Sequence, residues 1–173
     1  MTADPLILTL GVDEASFARL DALRRAHFPP ERNQIPAHLT LFHALPGDAL
    51  DEVLAGLRTA CASTAPFDVR FTGARSLGRG VALEAASPPL LALRKALAYC
   101  WSGWLTRQDA QGFRPHVTVQ NKVTAEAAAA LLASLGAGFE PWEARGEGLL
   151  LWHYRGGPWE RAPSLPFAGG AAP

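Results

Sequence analysis

An α+β fold of two similar halves is what this 173-residue chain predicts, on three observations. Short apolar runs alternate with stretches of helical spacing, so strands and helices interleave. Hairpin-like strand pairs occur in both halves, around Gly78-Arg79-Gly80 and Gly156-Gly157, which favours antiparallel pairing over a doubly wound parallel sheet. The chain also repeats itself. His38-Leu39-Thr40-Leu41 and His116-Val117-Thr118-Val119 lie 78 positions apart, and the same offset aligns Leu45 with Val123, Asp48 with Glu126 and Leu57 with Leu135. A constant offset over a strand and the helix after it reports a duplicated unit. Two copies make a pseudo-symmetric, two-lobed domain rather than a solenoid.

The elements follow in order. The compact apolar run over 6–12 is the first strand. Asp13 can cap the next helix, on which Phe17, Leu20, Leu23 and Arg24 are spaced for one face. Phe28-Pro29-Pro30 stops it, and the polar loop 31–34 leads through Pro36 into the first motif strand. Pro46-Gly47 breaks that strand, and Asp48 opens a helix to about Cys61. Residues 67–77 and 81–85 form a hairpin, and Pro88-Pro89 precedes a helix over 90–105. Arg114-Pro115 leads into the second motif strand, and Thr124 caps an Ala-rich helix that stops near Gly136. Strands over 149–154 and 159–167 complete a second hairpin, with a frayed tail at 168–173.

Length is enough for one domain spanning 1–173 to bury a core without staples. Sixteen basic residues balance sixteen acidic ones. That balance argues against a general nucleic-acid coat or a membrane-surface helix, and leaves room for a small nucleotide or an RNA end. Cys61 and Cys100 have no metal or redox spacing and read as packed thiols. The start, Met1-Thr2-Ala3-Asp4, has no basic region and the apolar run after it is too short to span a bilayer. A cytoplasmic location is therefore expected.

Residues i and i+2 of a strand share a face. Each motif accordingly presents a histidine and a threonine side by side, above aliphatic residues turned into the core. Two imidazoles can act as general acid and general base near neutral pH, and two hydroxyls can donate to an anion between them. This is equipment for phosphodiester chemistry without a metal. No His-x-x-x-His, carboxylate cluster or cysteine pair offers a metal site, and no Gly-x-Ser-x-Gly elbow is present. His43, at an odd separation from His38, reads as structural unless a bulge turns it inward. His27 and His153 lack partners.

The duplicated His-aliphatic-Thr-aliphatic pattern, each time leading into a helix, resembles the 2H phosphoesterase superfamily, and within it the bacterial 2′-5′ RNA ligase-like proteins. The resemblance covers essentially the whole chain, including the Gly157-Pro158-Trp159 turn. It implies a bilobed fold with two mainly antiparallel sheets lining a central cleft and helices outside. It implies a metal-independent hydrolase of RNA-type 2′,3′-cyclic phosphates or 2′-5′ linkages, run in reverse as a ligase, with no cofactor. His38 and His116 become the acid–base pair, and Thr40 and Thr118 the phosphate holders. Phe42 and Gln120 share their faces and are expected to line the cleft, Phe42 as a stacking platform. Lys122 has the strand parity of His116 and stands where many members carry an arginine. Arg32, Arg79 and Arg114 are further candidates to approach a phosphate, and Trp152 and Tyr154 are core or cleft residues. The expected partner is a nucleotide or RNA end, with no membrane, no obligate protein partner and a monomeric chain. The alternative is a nucleotide or RNA-end binder that keeps the cleft without turnover.

Overall fold

The computed structural model describes residues 3–170. Strands and helices run β1 (Leu6–Val12), α1 (Glu14–His27), β2 (Leu39–Leu45), α2 (Leu50–Ser63), β3 (Phe67–Ser76), β4 (Val81–Ala86), α3 (Pro88–Cys100), β5 (His116–Gln120), α4 (Ala125–Ala137), β6 (Trp142–His153) and β7 (Glu160–Pro166). The order β1-α1-β2-α2-β3 thus recurs as β4-α3-β5-α4-β6. Helix starts follow local chemistry: Asp13 Oδ1 accepts from the Ser16 amide at 2.9 Å and Thr124 Oγ1 from Ala127 at 3.1 Å, each satisfying a donor left over in the first turn. Two expectations shift. Asp48 sits in a 3₁₀ turn at Gly47–Ala49, so α2 opens at Leu50 without a side-chain cap. Helix α3 stops at Cys100 rather than 105. The apolar Trp101 just beyond packs edge-on against Phe42 at 5.3 Å, so it serves the core instead of extending a helical face.

All strand pairings are antiparallel. The two expected sheets are joined into one of seven strands, ordered β2-β1-β6-β3-β4-β5 with β7 also on β6. Strand β6 belongs to both lobes: its residues 146–153 pair with β1, and its residues 142–146 pair with β3. Gly146 is the junction, opposite Val12 on one side and Phe67 on the other. Hydrophobic alternation does not reveal the first half of β6, because its inward positions are Ala144, Gly146 and Gly148, the smallest residues available. The sheet curls enough that its end strands, β2 and β5, contact each other, and helix α1 of the first lobe packs on β5 of the second.

The core is continuous through both lobes. Leu39 and Leu41 of β2 and Val117 and Val119 of β5 are almost fully buried in it, beside Leu8, Leu149 and Leu151. At about 1.5–3 kcal/mol for each such side chain, burial anchors the motif strands from below. The tail is corrected too: the Ala168 and Gly169 amides donate to the Cys61 and Thr64 carbonyls at 2.9 and 3.0 Å, while 171–173 lie outside the described residues. Among the described residues, no helix is long and apolar enough to cross a membrane.

A Cβ on Gly146 would lie 2.9 Å from the Phe67 ring. Gly146→Val is therefore expected to destabilise the protein by about 1–3 kcal/mol through overpacking, read as a lower urea midpoint with unchanged slope.

Candidate functional site

His38 immediately precedes β2 and His116 begins β5. Each ring is oriented in the same way by its own backbone: His38 Nδ1 donates to the Pro36 carbonyl at 2.8 Å, and His116 Nδ1 to the Arg114 carbonyl at 2.9 Å. A carbonyl only accepts, so the proton resides on Nδ1 and the neutral ring keeps its lone pair on Nε2. Both rings are half-buried, as are Thr40 and Thr118 on the same strand faces.

Directly after each threonine the ladder slips. Leu8 pairs with Phe42 while Thr9 pairs with Thr40, and Val81 pairs with Gln120 while Ala82 pairs with Thr118. At this slip each motif strand carries one extra residue, Leu41 or Val119, in a β-bulge that reverses the alternation directly beyond it, and β2 slips against β1 once more between Phe42 and Leu45. The consequence is the same in both lobes. Phe42 and Gln120, expected to line the cleft, turn into the interior, fully buried and 7% exposed respectively. Gln120 Oε1 has no hydrogen-bond partner among the described residues. Phe42 packs with Trp101 and under the Arg94 guanidinium at 3.8 Å.

Two buried arginines cross between the lobes. Arg24 of α1, 4% exposed, donates from Nη1 to the Thr118 carbonyl at 2.9 Å and from Nε to Asn33 at 2.8 Å. Arg94 of α3, 6% exposed, donates from Nε to the Leu41 carbonyl at 2.7 Å. Each helix thus satisfies a carbonyl on the opposite lobe's motif strand, at its bulge. Sequence reasoning placed Arg24 on the inward face of its helix but assigned it no role, and it missed Arg94. The signal available was an arginine inside an apolar stripe: Leu20-Arg24, and Leu90-Arg94 between Leu93 and Leu97.

Burial brings the His38 imidazole down to about 4, with the positive charges of Arg24, His116 and His43 pressing the same way and the Pro36 hydrogen bond opposing. Burial also lowers His116, assisted by Arg75, His43 and Arg114. His43 therefore bears on both rings. It lies in the stretch between Phe42 and Leu45 where β2 slips a second time, and its Nδ1 donates to Asp109 at 3.0 Å.

The remaining sequence candidates are scattered. Lys122 lies beyond the end of β5, exposed and at φ 59°, so strand parity does not carry it into the cleft. Arg32 ends an exposed 3₁₀ turn. Arg79 Nε donates to the Val123 carbonyl at 2.9 Å, pinning a turn. Arg114 pairs with Glu84, which also meets Arg75. Tyr154 is exposed, whereas Trp152 is half-buried and lines a cavity. A cavity of about 600 Å³ opens beside His38, lined in part by Thr9, Gly11, Trp152, Trp159 and Arg161. The Trp159 ring lies 4.6 Å from that of His38, Trp152 is 6.1 Å from Trp159, and Arg161 stands 5.4 Å from the Trp152 ring. Sequence reasoning overlooked Trp159 and Arg161, which follow a Gly-Pro turn without a motif of their own. Among the described residues no group of three or more His, Cys, Asp and Glu is placed to hold a metal ion.

A curled antiparallel sheet presenting one His-x-Thr strand from each lobe is the architecture of the 2H phosphoesterases. A profile of the 2′-5′ RNA ligase superfamily matches residues 12–158, and the chain belongs to that family. No curated protein sequence matches it. Solved structures with the same fold include TT0787 of Thermus thermophilus, at TM-score 0.68 and 19% identity over 96% of this chain and 100% of that one. LigT of E. coli superposes at TM-score 0.62 with 21% identity, covering 96% and 99% of the two chains. Usb1 of Kluyveromyces marxianus does so at 0.53 with 11% identity, covering 95% and 99%.

This geometry has consequences for stability. Folded His38 and His116 bind protons less readily than in the unfolded chain, where an imidazole titrates near 6.5. Stability should therefore fall as pH drops from about 6.5 towards about 4, and His38→Gln should flatten that slope in urea titrations. Arg24→Met leaves the Thr118 carbonyl unpaired and should cost about 1–3 kcal/mol by the same measurement.

Proposed function

We propose that this protein is a metal-independent phosphodiesterase acting on RNA-type 2′,3′-cyclic phosphates or 2′-5′ linkages. The observation that carries the proposal is the matched pair of imidazoles, each with Nδ1 fixed on the carbonyl two residues earlier and Nε2 free. Family membership supports a phosphoesterase-type activity. LigT has been crystallised with 3′-AMP, ATP, NADP+ and phosphate, which supports a nucleotide as the ligand class.

With His38 lowered to about 4, it is the ring that is neutral over the wider pH range and the better-placed base. His116 is then the acid. Neutral His38 removes a proton from water as its oxygen bonds to phosphorus. The bond from phosphorus to one ribose oxygen breaks, and imidazolium His116 donates its proton to that oxygen. Thr40 and Thr118 donate to the non-bridging oxygens as negative charge builds there. The nucleobase enters the cavity beside His38 and stacks on Trp159 or Trp152, an interaction worth about 1–3 kcal/mol per base. That role replaces the one expected of Phe42. Ligation is the same proton traffic reversed.

Hydrolysis of nucleoside 2′,3′-cyclic phosphates, with and without a chelator, is the direct test. Turnover is expected to persist with chelator. His38→Ala and His116→Ala should each lower kcat about 10²–10⁴-fold with unchanged folding. Wild-type rates in both variants, or binding without turnover, would contradict the enzymatic reading. The pH profile is a second check. Below about 4 the base is lost, and above the lowered His116 value the acid is lost. The kcat/KM maximum is therefore expected on the acid side of 6.5.

A further inference from the structure

We infer that His43, held by Asp109, is a second anion-binding point in the cleft, one that takes the phosphate next to the reacting one in a substrate longer than a mononucleotide. The inference rests on the reading of the cleft given above and names its substrate class. Asp109 is 2% exposed and lies between α3 and β5. Its carboxylate accepts from the His43 amide at 2.9 and 3.0 Å, from the Ala44 amide at 3.0 Å and from His43 Nδ1 at 3.0 Å. Burial pulls the Asp109 carboxyl up, but these hydrogen bonds outweigh it and hold it below the ordinary value. Arg94 completes the assembly by donating to the Asp109 carbonyl as well as to Leu41.

The two backbone amides alone would fix the edge of β2. The ring is held in addition, and a carboxylate only accepts, so Nδ1 is the donor; Nε2 can donate to an anion only in the imidazolium form, the form that makes an ion pair with Asp109. The side chain is 44% exposed and close enough to His38 and His116 to bear on both rings. His43 is three positions beyond Thr40, one of them absorbed by the bulge at Leu41, hence about 7–10 Å along the strand. That is too far to share one phosphate with Thr40 and of the order of one step along a nucleic-acid backbone. The position 78 residues on is Asn121, whose side chain caps the Lys122 amide at 2.8 Å. No histidine stands at the equivalent position of the second lobe, so the second anion point at His43 gives an otherwise symmetric cleft a direction.

The test is calorimetric binding of two ligands, uridine 3′-monophosphate and the uridine dinucleotide with a terminal 3′-phosphate, to the wild type and to His43→Asn. The asparagine amide still donates to Asp109 but places nothing where Nε2 stands, and a thermal melt checks the fold. The wild type should prefer the two-phosphate ligand about tenfold, the worth of one charge-assisted hydrogen bond. His43→Asn should reduce that preference to about twofold or less. A preference retained in the variant, or absent in the wild type, overturns the inference. A wild type that shows the preference but hydrolyses no cyclic phosphate upholds this site and overturns the enzymatic reading instead.

Discussion

The crossed arginines are the constraint on which the cleft depends. Strands β2 and β5 are the two ends of the strand order, so each has one edge without a strand neighbour, and each is bulged where it carries the motif. Buried carbonyls at such an edge are costly unless something donates to them. Arg24 and Arg94 supply the donors, and each comes from the other lobe. The bonds that satisfy the bulges are therefore the bonds that hold the lobes together. Any separation of the two His-x-Thr strands would strand a guanidinium and a carbonyl at once, which the interior strongly disfavours.

The same arrangement sets the electrostatics of the rings. Burial and the nearby cations keep both imidazoles below their ordinary range, His38 most clearly. On the proposed reading, a phosphate between the rings would oppose the positive charge that surrounds them and favour one protonated imidazole. Lobe symmetry makes the two histidines chemically alike, and their surroundings make them different. His38 faces the tryptophan-lined cavity, whereas His116 sits near Arg75 and Arg114, which share Glu84.

Much of this was legible in the sequence. The duplication, the α+β class, the motif strands and their four polar side chains follow from period-two alternation and a constant offset. The bulges do not, because an extra residue in a strand leaves no mark on a run that is apolar throughout. Leu41-Phe42 and Val119-Gln120 read as regular strand, and the parity argument for Phe42, Gln120 and Lys122 failed at that point. For the same reason His43 read as turned away. The joining of the lobes through β6 was hidden by glycines chosen for close approach, Gly146 under Phe67 above all. Arg24 and Arg94 were visible only as charges among leucines, whose partners lie in the opposite half of the chain.

The central claim is that two equivalent imidazoles serve one anion. The most direct measurement is an NMR titration of the His38 and His116 ring protons with inorganic phosphate, at several pH values. Both resonances should respond with one common dissociation constant, and phosphate should raise both titration midpoints. Separate constants, or a response confined to one ring, would mean that the two motif strands do not form a single site.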